Sequence, residues 1–167
     1  MATKKTAWAP FPAPSKAFQF NAAGLQKAWK QLHSGDAEPF PDAKRAEQLI
    51  KAAGKSAPKG ISAEAMADAL QAAWRAFHAG EFEQAFILGT ALGPIGTSVA
   101  AKALGIHATY LVKNADDRLA RFEQAAQMAE QAVAALPKEA NSHYRLAFGY
   151  GRYGQGISIA KALSTGL

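Results

Sequence analysis

The chain has 167 residues, 49% of them apolar, and a formal net charge of +6. That is long enough for one domain with a buried core, and too apolar for a disordered chain. It has no cysteine, which excludes disulfides, thiolate catalysis and cysteine-based zinc sites.

Alanine is abundant and β-branched residues are few, a balance that predicts an all-α fold. The positive excess is uneven. Residues 1–60 carry ten Lys/Arg and four Asp/Glu, whereas residues 61–167 carry nine of each.

Residues 1–20 form an extended segment rich in proline and aromatics, with Trp8, Pro10, Phe11, Pro12, Pro14 and Phe18. Proline fixes its own φ and restricts its predecessor. Either these aromatics dock on the first helices or they form a short ligand for another protein; docking in cis is the favoured reading. The basic start is not followed by an apolar run of signal-peptide length, so a cytoplasmic protein is expected.

Residues 21–60 read as a basic first helical hairpin. Its first helix is capped by Asn21 and carries Leu25, Trp29 and Leu32 on one face. Gly35 ends that helix, Glu38-Pro-Phe-Pro41 forms a stiff connection, and a second helix fits 42–53. The loop from Gly54 to Gly60 is the natural boundary, since the charge balance changes there.

Residues 61–167 read as helical repeats. Ser62 caps a third helix with Met66, Leu70, Trp74 and Phe77 inside, and Gly80 breaks it. A fourth helix, 82–92, ends at Gly93-Pro94. The run 95–112 is the longest apolar stretch, interrupted by Lys102 and His107. A membrane span needs about 20 predominantly apolar residues, so a helix buried among neighbours is the better reading. A sixth helix spans 117–136 and stops at Pro137. A seventh runs from 139 to 153 and an eighth begins at Gln155. The chain reaches Leu167 without the polar closing helix a solenoid needs. That predicts an end that is truncated, or covered by another molecule such as a second copy of the chain.

The stretch 25–36 recurs at 70–81. Of twelve aligned positions six are identical, including Leu25/Leu70, Trp29/Trp74, His33/His78 and Gly35/Gly80. A period of 45 falls in the range of stacked helical hairpins. Two stretches then resemble the tetratricopeptide repeat (TPR) family. One is Gly80-Glu-Phe-Glu-Gln-Ala85, with its turn glycine and the Phe82/Ala85 packing pair. The other runs from 125 to 150, where Pro137 is followed by Leu146-Ala147 and then Tyr150, similar to the family's Leu-Gly/Ala-x-x-Tyr signature. The period here is longer than the family's, and the run 149–158 is richer in glycine. The repeat region is also distantly similar to that of the regulator of microtubule dynamics family.

The resemblance implies about eight helices stacked as antiparallel hairpins in a TPR-like α-solenoid, and a non-enzymatic scaffold or adaptor for a protein or peptide. The first helix of each hairpin would line a groove. On the seventh helix the groove positions would be Asn141, Tyr144, Phe148 and Arg152, with Arg145 beside them. Aromatics edged by arginine suit an apolar peptide carrying an acidic group; core packing is the competing reading of Tyr144 and Phe148.

No constellation points to catalysis or to a cofactor. His33 and His78 each precede an acid by three residues, Asp36 and Glu81, but the intervening glycine assigns the acid to the next element, which disfavours a metal site. His107 and His143 are single. The glycine run 149–156 lacks the Gly-Lys-Ser/Thr ending of a phosphate loop, and small residues for close helix approach explain it better. Arg145 and Arg152 could form a weak anion site. Asp116-Asp117 reads as a helix start. The alternative function is nucleic-acid or anionic-membrane binding through the basic residues 1–60.

Overall fold

In a computed structural model of the chain, residues 8–14 and 16–157 are described. All regular structure among them is helical: α1 (Ala22–Leu32), α2 (Ala43–Ala53), α3 (Ala63–His78), α4 (Phe82–Ala91), α5 (Thr97–Leu111), α6 (Ala115–Ala135) and α7 (Ala140–Gly156). Short 3-10 turns occupy Lys16–Phe18, Gly54–Ser56 and Gly93–Gly96.

Four helices start on side-chain caps. Asn21 accepts from the Gly24 amide, Asp42 from Arg45, Ser62 from Ala65 and Asn114 from Asp117. Each such cap is worth about 1 kcal/mol. Asp116 and Asp117 then lie in the first turn of α6, where carboxylates favour the positive end of the helix dipole.

From α2 onward each helix packs on its successor, and α5 also touches α3 and α7. The centre is α5. Val99, Ala100, Ala103, Leu104, His107 and Ala108 are all essentially inaccessible, which explains the apolar run without a membrane. Among the described residues no helix is long and apolar enough to cross one.

The packing departs from the sequence reading in two places. The first hairpin is not one: α1 and α2 scarcely touch, and α1 lies against α3 while α2 packs on the other part of α3. The cause is the connection. Ala37 adopts φ 47° and the Pro-rich segment after it carries the chain away from α1. Nor is residue 60 a boundary in the packing. One core cluster joins Leu25 and Trp29 to Trp74, Phe82 and Val99; a second joins Ala46 and Leu49 to Met66, Leu70 and Leu136.

The second departure is at the far end. α7 continues through Gln155 to Gly156, so an eighth helix does not begin at Gln155; the rest of that expected helix lies outside the described residues. Among the described residues there are thus seven α-helices, where about eight were expected for the whole chain. The glycine run serves close approach at Gly149 and at Gly156, where a Cβ would meet Leu119 Cδ1 at 2.8 Å. A Cβ on Gly149 would sit 2.9 Å from the backbone of Ala126 on α6, whereas Gly151 and Gly154 face open space.

The N-terminal aromatics dock in cis. Trp8 lies 5.4 Å from the Phe86 ring and 4.6 Å from that of His107, with the Arg121 guanidinium 4.2 Å over it. The Ala9 amide donates to His107 Nε2 at 2.9 Å, and Phe11 meets Phe82 edge to face.

Candidate functional site

The site grows from the end of α1. His33 closes that helix as its C-cap, and Asp36, Ala37 and Glu38 follow in the turn. The Trp29 indole donates to the Glu38 carbonyl at 2.6 Å, and the Gln71 amide donates to the Pro41 carbonyl at 3.0 Å. These bonds pin both ends of the connection. Ser98 and Lys102 lie one turn apart on α5, and Arg145 faces them from α7.

These groups form one buried ion network. Asp36 Oδ2 accepts from Lys102 Nζ at 2.6 Å and Arg145 Nη2 at 2.7 Å, while Oδ1 accepts from His33 Nδ1 at 2.9 Å. Arg145 Nη2 also reaches Glu38 Oε2 at 3.3 Å, and Arg145 Nε donates to Ser98 Oγ at 3.1 Å. The Ser98 hydroxyl in turn donates to Glu38 at 2.5 Å. The side chains of Arg145 and Asp36 are only 4% and 5% exposed.

Burial works against the Asp36 charge, but hydrogen bonds from His33, Lys102 and Arg145 outweigh it and hold the carboxyl far below its ordinary range. For Glu38 burial prevails over the attraction of Arg145 and the Ser98 hydrogen bond, and its pKa is raised. Burial lowers Lys102 despite its bond to Asp36. Its ammonium also lies 5.5 Å from the Trp74 ring centre and 5.3 Å from that of Phe77, a cation–π arrangement.

The two copies of the duplicated stretch meet beside this network. Trp29 and Trp74 pack edge to face at 5.5 Å, and His33 Nε2 lies 3.2 Å from His78 Nε2. With Asp36 ionised, His33 carries its proton on Nδ1, so its Nε2 accepts and His78 Nε2 donates. Burial and the neighbouring His33 and Lys102 lower His78 to about 3; burial likewise lowers His33. Both rings are therefore neutral near pH 7. The sequence reading placed Asp36 on the next element, but His33 and Asp36 bond directly. α1 stops at Leu32, and the turn after it keeps residues three apart together. Glu81, the counterpart of Asp36, is exposed at the start of α4 instead.

A cleft of about 200 Å³ opens over the network, with Asp36, Lys102 and Arg145 as its floor and Leu32, Ile106, Tyr144 and Phe148 as its walls. The Phe148 ring lies on Gly105, where any Cβ would meet it at 2.5 Å. Tyr144 is 46% exposed.

Of the groove residues expected from sequence, Tyr144, Phe148 and Arg145 come together at this cleft. Arg145 is a buried floor residue and not an exposed edge. Asn141 is buried. Arg152 stacks over Phe148 at 5.6 Å and lines a different cleft with Arg118 and Phe122, so it does not form an anion site with Arg145 here. Of the repeat positions, Leu25, Trp29, Leu70, Trp74, Phe82 and Ala85 are core, Leu146 and Tyr150 are half-buried, and Pro137 and Ala147 are exposed. Asp36, Glu38, Ser98 and Lys102 were missed as partners. The available signals were Lys102, a lone charge in the apolar run, and the three-residue spacing of His33 and Asp36.

Among the described residues no group of three or more His, Asp or Glu could hold a metal ion. No family model matches the chain, and no curated protein or solved structure matches it significantly.

Proposed function

We propose that the chain is a non-enzymatic, TPR-like helical scaffold that holds a segment of another protein in the cleft between the α1–α2 connection, α5 and α7. The observation that carries this reading is an exposed aromatic, Tyr144, beside Phe148 and Ile106 at the mouth of a cleft with a fixed charged floor. Buried aromatic and arginine anchors in such a pocket dominate binding energy. The succession of neighbouring helices from α2 to α7 supports hairpins stacked in a row as its frame. The Ser98 hydroxyl both donates and accepts within the network, which suits a structural role better than that of a nucleophile.

The test is site-specific photo-crosslinking in cells, with the photoreactive residue at Tyr144 on α7 or at Tyr110, which is 74% exposed near the end of α5. A protein captured at position 144, absent at 110, and lost when Phe148→Asp is added supports the reading. Equal capture at both positions overturns it.

A further inference from the structure

We infer that the cleft between α1, α5 and α7 is a binding site for a single carboxylate attached to a short apolar body, with Lys102 Nζ and Arg145 Nη1 receiving the carboxylate. The inference rests on the same cleft as the adaptor reading and gives its ligand a chemistry.

The argument starts from unused donors. Arg145 has five N–H groups. Its Nε serves Ser98 and its Nη2 serves Asp36 and Glu38, whereas among the described residues no hydrogen bond engages Nη1. The side chain is 96% buried (4% exposed) and lines the cleft, so what it offers to a ligand it offers inside a desolvated site. Lys102 Nζ spends one of its three protons on Asp36, and its side chain keeps 18% exposure.

Charge points the same way. Two cations share the floor with Asp36, which is ionised, and with Glu38, whose acid form burial favours. Lys102 Nζ and Arg145 line the cleft itself, and charge-assisted bonds from arginine and lysine to a carboxylate are the strong kind. A cationic ligand would meet repulsion from Lys102 and Arg145 on the same floor. Asp36 already takes three hydrogen bonds, from His33, Lys102 and Arg145.

Size and walls set the rest of the ligand. The cleft holds about 200 Å³, below the roughly 300–1,000 Å³ of sites for larger ligands. Leu32, Ile106, Phe148 and Tyr144 close it with apolar surface and no helix N-terminus, which fits a body the size of one side chain better than a phosphate. Such a group comes from a free short-chain or aromatic acid, or from the last residue of a protein chain.

Calorimetric titration of the full chain separates these. The probes are hexanoate and phenylacetate against hexanamide and phenylacetamide, and the peptide Gly-Gly-Gly-Leu with a free or an amidated end. The expected result is that carboxylates bind at least about ten-fold tighter than their amides. Lys102→Met should abolish that preference. Because Lys102 also supports the fold, Tyr144→Ala at an exposed position is the second variant, expected to weaken acid and amide alike. Binding of the free acids assigns the site to a small molecule; binding of the free-ended peptide alone assigns it to a chain terminus. Amides that bind as well as acids, or no binding by any probe at millimolar concentration, overturn the inference. In that case a partner crosslinked at Tyr144 leaves the adaptor reading standing. Acid binding without any crosslinked partner removes the adaptor reading and keeps the site.

Discussion

The stretches 25–36 and 70–81 carry nearly the same residues and end in different structures. Up to the histidine they behave alike. Each is the end of a helix whose tryptophan is buried, Trp29 at 6% and Trp74 at 2% exposure, and the two copies face each other through these rings. After the glycine they part. Gly80 takes φ +82° and the chain enters α4 immediately, leaving Glu81 exposed. Gly35 has no such φ; the left-handed residue comes two positions later, at Ala37. That shift turns Asp36 inward to His33, Lys102 and Arg145. A duplicated sequence thus supplies one plain helical turn and one charged hub, and the difference lies in where the backbone reverses.

The largest test of that contrast is a pair of truncations. Asp36→Ala leaves Lys102 and Arg145 without their shared carboxylate, and removing one partner of a buried ion pair costs about 3–5 kcal/mol. Glu81→Ala should fall within about 0.5 kcal/mol of the parent, as exposed substitutions do. Urea denaturation measures both, and similar losses would erase the distinction between the copies.

Acid should expose the hub next. The folded pKa of His78, about 3, lies below the ordinary histidine value of 6.5, and His107 is lowered to about 4 by burial and by Arg121. The unfolded chain therefore binds more protons. The stability these rings contribute is fully present above about 6.5 and is lost as pH falls toward about 3 for His78 and about 4 for His107. The slope is at most about 1.4 kcal/mol per pH unit for each ring. Below that range Asp36 adds to the loss in the same direction, because its folded pKa is also depressed. His78→Gln should flatten the slope between these values, as read by urea midpoints at stepped pH; an unchanged slope would deny that the His33–His78 contact is a neutral pair.

The glycines sharpen the comparison further. A Cβ at Gly80 would meet Phe11 at 2.7 Å in a backbone that side chains avoid, while at Gly35 nothing lies within 4 Å. Gly80→Ala should cost about 1–2 kcal/mol and loosen the N-terminal segment, seen as faster proteolysis near Phe11. Gly35→Ala should be neutral or stabilising by up to about 1 kcal/mol.

What was legible in the sequence follows from range. The caps Asn21 and Ser62 act within three residues, and the apolar spacing of α3 is local, so both could be read directly; Asp42 caps α2 where the reading began the helix with it, and α6 starts at Ala115, two residues before the expected 117. The period of 45 was legible too, although not the fact that equivalent residues would touch. The hub was not. Lys102 and Arg145 reach Asp36 from 66 and 109 residues away, and no spacing rule links them. Lys102 read as a break in an apolar run when it is a buried cation. Arg145 read as a groove edge because helical phase places it near Tyr144 and cannot say how deep it sits.

The smallest expected effect concerns Ala37. A left-handed alanine costs about 1–2 kcal/mol relative to ordinary backbone, and glycine at that position removes most of the cost while adding freedom to the unfolded chain. Ala37→Gly should therefore stabilise by no more than about 1 kcal/mol, a rise of about 2–4 °C in Tm for a chain of this size. The gain is expected only while the turn keeps its shape. In an Asp36→Ala background nothing holds the turn inward, the strained conformation is no longer imposed, and the same substitution should give little. A gain of equal size in both backgrounds would mean that Ala37 is strained for reasons unrelated to the ion network. The place where the two copies diverge would then be set by the proline-rich connection alone.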